Sequence, residues 1–227
     1  MKEGKKAVNG QRKSPEVGIV MGSDSDLEIM EEAAFVLKQF DISFEMTIAS
    51  AHRSPKRAAK FATSARKRGI KVIIAGAGHA AHLAGTMAAF TSIPIIGVPI
   101  DSSCLKGFDS LLSTVQMPPG VPVATVSIGK PGARNAGILA AQILALSDSK
   151  LAEALEAFKK DLANQVDQKA KNTLLRFKNQ KQPSVGTNQR YVFSTFIQTF
   201  RNFLFRTQTR LPLQGTSGQV KTDCQDS

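Results

Sequence analysis

Cysteine is scarce in this 227-residue chain, which holds only Cys104 and Cys224, 120 positions apart. Two unclustered thiols supply neither a disulfide framework nor a zinc site, and they suit a reducing, cytoplasmic compartment. No apolar run approaches the ~18 residues that a membrane-crossing helix needs. The first 15 residues are basic but lack an apolar stretch of the secretory type, so no export signal is expected. The P-loop pattern is missing, which argues against ATP use. Internal repeats are also missing. Wholesale disorder is excluded, because 42% of the residues are hydrophobic and only 21% charged, enough apolar matter for a sizeable core.

The formal charge of +12 looks like that of a nucleic-acid binder until it is divided along the chain. Residues 1–15 carry five Lys/Arg against one Glu, and residues 174–227 carry eight against two Asp. Residues 16–173 carry 17 basic against 15 acidic side chains. The excess therefore sits at the two ends, and no nucleic-acid partner is expected for the near-neutral body. This divides the chain into a basic arm (1–15), a body (16–173) and a basic tail (174–227).

The body alternates between two hydrophobic periods. Val17 to Met21, Phe44 to Ile48, Val72 to Ala75, Pro94 to Val98 and Val123 to Ile128 are short apolar runs of the kind buried parallel strands show. Between them lie helical patterns. Ser25 and Glu28 stand at capping-box spacing before Leu27, Met30, Ala34 and Leu37. Ser54-Pro55 gives an N-cap and first-turn pair for a helix closing at Lys67-Arg68-Gly69. Further helices are expected over 80–90, 110–115, 132–146 and 149–171. Strict β–α alternation predicts an α/β fold with a doubly wound parallel sheet of about five strands.

In such sheets ligands lie outside the carboxyl ends of the strands. Three loops leave such ends with chemistry-bearing residues. Gly22-Ser23-Asp24-Ser25-Asp26 offers close backbone approach and hydroxyls at a helix start, which suit phosphate or ribose oxygens. A carboxylate such as Asp26 accepts hydrogen bonds from a ribose diol; the plainer alternative is a turn and a capped helix. Ser50-Ala51-His52-Arg53-Ser54-Pro55 sets an imidazole, with an ordinary pKa of ~6.5, beside a guanidinium that grips phosphate bidentately. That pairing suits acid–base work on a phosphorylated substrate. Ala75-Gly76-Ala77-Gly78-His79-Ala80-Ala81-His82 leaves bare backbone for a ligand, but lacks the third glycine of the dinucleotide fingerprint. His79 and His82 stand three apart, yet no carboxylate or thiol nearby completes a metal site. All three histidines of the chain fall within 31 consecutive residues. A fourth stretch, Asp109 to Pro118, either adds polar groups to the same crevice or forms a short packing helix.

Met21-Gly22-Ser23-Asp24-Ser25-Asp26, Ser50-Ala51-His52-Arg53, Ala75-Gly76-Ala77-Gly78, Ser110 to Pro118 and Asn135-Ala136-Gly137 closely resemble the PurE family. These are the N5-carboxyaminoimidazole ribonucleotide mutases of purine biosynthesis. The likeness spans roughly residues 16–163 in unbroken order. It implies a flavodoxin-like three-layer α/β/α sandwich assembled as a homo-octamer with shared active sites. It implies a ribotide substrate, an isomerase reaction, no cofactor and no metal. A functional link to the ATP-dependent synthase that makes the substrate follows.

Carried over by position, His52 matches the family's general acid/base and His82 its second active-site histidine. Ser23, Asp26 and Arg53 match substrate-binding positions, with Ser25 and Ser50 near the ribotide phosphate. Ala77 and Gly78 match the small-residue wall thought to hold carbon dioxide. A related branch carboxylates the free ribotide directly, typically with Lys after the His and a different third loop; Arg53 and the Gly/Ala loop favour the mutases. His79 replaces the usual Gly, and Ala84 the usual Pro. The extra imidazole is expected to face solvent or a subunit interface.

Two other readings are carried forward: direct carboxylation of aminoimidazole ribonucleotide, and a non-catalytic ribotide-binding module. In the second, the tail binds nucleic acid or a membrane. Phe193, Phe196, Ile197, Phe200, Phe203 and Leu204 fit one helical face of that tail, with Arg201 and Arg206 near its polar side. The likeness does not reach these residues, and the tail's partner is left unassigned.

Overall fold

A computed structural model describes residues 14–179. The Phe-rich tail face lies outside the described residues. The chain comprises two compact units, residues 1–165 and 166–227. The first contains a five-stranded sheet: β1 (Val17–Met21), β2 (Phe44–Ile48), β3 (Val72–Gly78), β4 (Ile95–Ile100) and β5 (Ala124–Thr125). The helices are α1 (Leu27–Gln39), α2 (Pro55–Ala65), α3 (Leu83–Phe90), α4 (Phe108–Val115), α5 (Gly129–Ala145) and α6 (Ser149–Asn179). All strand pairs are parallel, in the order β2-β1-β3-β4-β5. This is the parallel α/β sheet expected from the alternation, in the flavodoxin-like form that the family resemblance implies.

The pleat explains the layers, since successive side chains on a strand point to opposite faces. Val17, Ile19, Met21, Val72, Ile74 and Ile96 pack with Met30, Ala33 and Leu37 of α1 and Ala133, Ala136 and Ala140 of α5. Val20, Ile73, Ala75 and Ile95 pack on the other face with Ala58 and Ala62 of α2 and Leu83, Ala84 and Met87 of α3. Each fully buried Ile, Leu or Met contributes roughly 1.5–3 kcal/mol by leaving water. β1, buried along its whole length, contributes side chains to both layers. β2 is only half-buried because it is the edge strand.

Several boundaries differ from the pattern-based ones. β3 runs on through Gly76-Ala77-Gly78, because these residues pair with Val98, Pro99 and Ile100 of β4. The glycines therefore belong to the sheet. β5 is only two residues long, since Val126 N–H alone continues towards Gly97 O. The capping box is Ser23 with Asp26, two residues ahead of the Ser25/Glu28 pair, and it opens a single 3-10 turn leading into α1. Pro55 does start α2, but the Ser54 hydroxyl makes no cap bond. It instead accepts from Ser50 N–H and donates to Ser50 O.

Small residues set the distances between layers. A Cβ on Gly76 would overlap the Met30 side chain, and one on Gly97 would overlap Thr114. A Cβ on Gly132, early in α5, would collide with the main-chain carbonyl of Ser127. A backbone obstacle cannot rotate away. Gly132→Ala should therefore destabilise the fold by about 1–3 kcal/mol, read as a lowered denaturation midpoint at fixed protein concentration. An unchanged midpoint would show that α5 can shift freely on the sheet.

Candidate active site

β1 lies between β2 and β3, and the chain reverses its direction of strand addition there. Met21 pairs with Ile48 on one side and with Gly76 on the other, so the loops after β1 and β2 leave at one level and β3 runs two residues further before its own. Their residues, with Ser102 from the end of β4, line one cavity of about 370 Å³. Ser23, Ser25, Asp26, Ser50, His52, Arg53, Ala77, Gly78 and His82 are all in its wall.

The loop after β1 is held by its own hydrogen bonds. Ser23 is extended, its hydroxyl accepts from Ser25 N–H at 3.4 Å, and its N–H donates to Asp26 Oδ2 at 3.0 Å. The Ser23 hydroxyl also donates to Asp24 Oδ1 at 2.9 Å. That bond, with local backbone N–H groups and the Arg53 charge, holds the exposed Asp24 carboxyl below its ordinary pKa. Asp26 is different: it is 4% exposed, and burial pushes its carboxyl above the ordinary value. Hydrogen bonds from Ser23, Ser25 and Gly22 and the charge of Arg53 oppose that shift without cancelling it.

The loop after β2 turns through Ala51-His52-Arg53, and the Ser50 hydroxyl accepts from Arg53 N–H at 3.1 Å. Ser50 is thus occupied in shaping the turn. Arg53 Nη2 donates to Gly22 O at 3.4 Å, which brings the guanidinium to the β1 loop. His52 and His82, 30 residues apart in sequence, meet. His52 Nε2 lies 2.8 Å from His82 Nδ1, with the rings at 84°. Which nitrogen donates and which accepts is set by the tautomers of the two rings. The main chain of His82 is anchored by Thr86, whose N–H and hydroxyl both donate to its carbonyl at 2.9 Å. His52 and His82 are exposed to the cavity, so a ligand can reach both rings.

The remaining wall departs from the sequence-based picture in two ways. The space that a Cβ on Gly78 would take is filled by the Ser102 side chain. Gly78 therefore lets the β4 loop close down on the sheet. His79, which is exposed, is also turned to the cavity, with Nδ1 3.0 Å from Ser102 Oγ. Its φ of 53° is left-handed, a region where glycine fits freely and other residues lose about 1–2 kcal/mol. Ser102 was not among the expected site residues. The signal for it was its place just after the fourth strand, at the same sheet edge as the other three loops.

The stretch 109–118 stays out of the cavity. Ser110 and Thr114 are buried and donate to carbonyls: Ser110 to Ile100 O at 3.0 Å and Gly107 O at 2.9 Å, Thr114 to Ser110 O at 2.7 Å. They pack α4 against β4. Among the described residues no group of three or more His, Cys, Asp or Glu side chains is arranged to hold a metal ion. Among the same residues no helix is long and apolar enough to cross a membrane.

Flavodoxin-like α/β proteins bind ligands at this switch point, and here it carries two bonded imidazoles and a guanidinium. The chain belongs to the AIR carboxylase family, whose model matches residues 16–165. It is 57% identical over 148 residues to the N5-carboxyaminoimidazole ribonucleotide mutase of Pyrococcus abyssi, covering 65% of this chain and 84% of that protein. It is 54% identical over 157 residues to the phosphoribosylaminoimidazole carboxylase of Schizosaccharomyces pombe, which is 69% of this chain and 28% of that longer protein. Treponema denticola PurE superposes with a TM-score of 0.64 at 28% identity, over 70% of this chain and 98% of that one.

The raised pKa of Asp26 gives the site a pH signature. The folded protein keeps this proton to a higher pH than the unfolded chain does. Stability from the group is complete below the ordinary value of 3.8 and is lost as pH rises through the folded value. Asp26→Asn removes that loss while an amide oxygen still accepts from Ser23 N–H. The variant's stability relative to wild type should rise with pH above ~4, followed by urea unfolding at each pH. A relative stability that falls with pH would mean the partners favour the ionised form.

Proposed function

We propose that this chain converts N5-carboxyaminoimidazole ribonucleotide to 4-carboxy-5-aminoimidazole ribonucleotide in purine biosynthesis. The observation that carries this reading is the His52–His82 bond, placed in one cavity with Arg53 and the Ala77-Gly78 wall. Protonated His52 gives its proton to the carbamate nitrogen as the N–C bond breaks, releasing carbon dioxide. The gas stays against the Ala77-Gly78 wall at high effective concentration. Ring carbon C4 attacks it, forming the new C–C bond, and neutral His52 removes the C4 proton. One carboxyl unit and one proton leave and return, so atoms balance without an oxidant or a nucleotide. His82, bonded to His52 Nε2, orients that ring. Arg53, Ser23 and Ser50 bind the phosphate, Ser25 supports them, and Asp26 receives the ribose hydroxyls. The N-carboxylate of the substrate is supplied by an ATP-dependent synthase, the functional partner of this enzyme.

Direct carboxylation of aminoimidazole ribonucleotide is the second reading, favoured by the name of the fission-yeast relative. Arg53 and the Gly/Ala run weigh for the mutase. Assembly into a homo-octamer is part of the proposal, supported by an apolar stripe along α4 and the turn before it. Leu105, Phe108, Leu112 and Val115 recur at intervals of three and four and are exposed, as a face awaiting another subunit is.

Turnover on purified protein decides the reaction. The N-carboxylated ribotide without bicarbonate should be converted at low enzyme concentration. The uncarboxylated ribotide should react only at high bicarbonate. Efficient use of the second alone would move the chain to the direct carboxylases. Activity with neither, in folded protein that binds the ribotide, would leave the non-catalytic module. His52→Asn should cut kcat by about 10²–10⁴ with binding retained, whereas Arg53→Ala should weaken ribotide binding at least ~10-fold. Loss of both binding and turnover in His52→Asn would sink this division of labour. Light scattering of the full chain should give eight copies, and Phe108→Asp should reduce that number; a wild-type monomer would refute the assembly.

A further inference from the structure

We propose that His79 is a specificity-determining residue that hydrogen-bonds the migrating carboxylate of the substrate. This rests on the mutase reading and extends it to a residue outside the expected catalytic set. Three observations converge on the imidazole. It lines the same cavity as His52 and His82. Its backbone is left-handed, at φ 53°, which fixes the direction in which the side chain leaves the end of β3 and costs about 1–2 kcal/mol relative to glycine. Its Nδ1 is engaged by Ser102 Oγ at 3.0 Å, and Ser102 is itself seated in the hollow left by Gly78. With Nδ1 fixed, the ring is oriented and Nε2 is the nitrogen left for a ligand. When the Ser102 hydroxyl donates to Nδ1, Nε2 carries the hydrogen and is a donor.

The position suits a carboxylate rather than the phosphate. Arg53 is tied to Gly22, at the end of β1. His79 follows β3 and is bonded to Ser102 after β4, so both stand on the side of β1 away from β2, the strand that leads into Arg53. A ribotide, whose phosphate and ring carboxylate lie at opposite ends, can reach from one side of β1 to the other. Between them the Ala77-Gly78 wall presents no charged side chain. An imidazole at its edge gives the carboxylate a hydrogen-bond donor that the uncarboxylated ribotide cannot use. Asp109, in the first turn of α4, lies within electrostatic reach of this imidazole. The Ser103 hydroxyl chiefly, with backbone N–H groups and the His79 charge, holds the Asp109 carboxyl below its ordinary pKa.

Two variants keep the backbone comfortable: glycine fits a positive φ freely, and asparagine tolerates it while retaining an N–H donor. Calorimetric titration of full-length protein with 4-carboxy-5-aminoimidazole ribonucleotide and with uncarboxylated aminoimidazole ribonucleotide reads the effect. In wild type the carboxylated ligand binds more tightly. His79→Gly should reduce that preference about 10-fold, mainly through the carboxylated ligand, and raise KM more than it lowers kcat. His79→Asn should restore part of the preference. An unchanged preference in His79→Gly, with a higher melting temperature from relieved strain, would overturn the assignment and leave His79 a strained bystander. Wild-type protein that binds neither ribotide would overturn the mutase reading itself, and this assignment with it. The variants are needed only to separate the first of these failures from the second.

Discussion

Met21 stands between Ile48 and Gly76, and that three-strand register is the constraint on which the site depends. Neither His52 nor His82 is on β1, yet their rings meet because β2 and β3, the strands that precede them, flank it in fixed register. A slip of one residue would turn each strand's buried set to the opposite face. The burial of Val17, Ile19 and Met21 against one helical layer and Val20 against the other makes such a slip expensive. Core packing and catalytic geometry are in this sense one problem: the hydrophobic alternation that fills both layers also sets the heights of the loops.

The glycines of β3 and β4 show how closely site and scaffold are joined. Gly76 accommodates Met30 from α1, Gly97 accommodates Thr114 from α4, and Gly78 accommodates Ser102. The first two bring helices close to the sheet; the third brings a loop into the cavity wall. A run of small residues that reads as an open floor for a ligand is thus mostly a set of sockets for the protein's own side chains. Ala77, between two of the sockets, remains in the cavity wall.

The fold was legible because its signals repeat along the chain. Five apolar runs separated by helical periods leave little besides a parallel α/β sheet. The candidate residues were legible for a related reason, since each loop after a strand carries its polar residues within a few positions of the strand's end. Boundaries were harder. Gly76 to Gly78 have the composition of a loop, and pairing with Val98 to Ile100 keeps them in β3. The true capping pair, Ser23 with Asp26, competed with Ser25 and Glu28 at identical spacing. What no local pattern carries is the meeting of side chains from different loops. The His52–His82 contact and the Ser102–His79 contact both depend on strand order, which periodicity does not encode.

The two ends of the cavity are built from different materials. At one end, Gly22 N–H donates to Gly76 O, and Asp26 is folded back onto Ser23, so the wall is an extension of the sheet itself. At the other, the surface is furnished by residues 101–107, a connecting segment whose Ser102 merely rests in a glycine socket. Connecting segments change length and composition with little cost to the elements they join. The first end is therefore a fixed jaw and the second an adjustable one. A substitution in the connecting segment would reshape one end of the cavity and leave the sheet-borne end as it is.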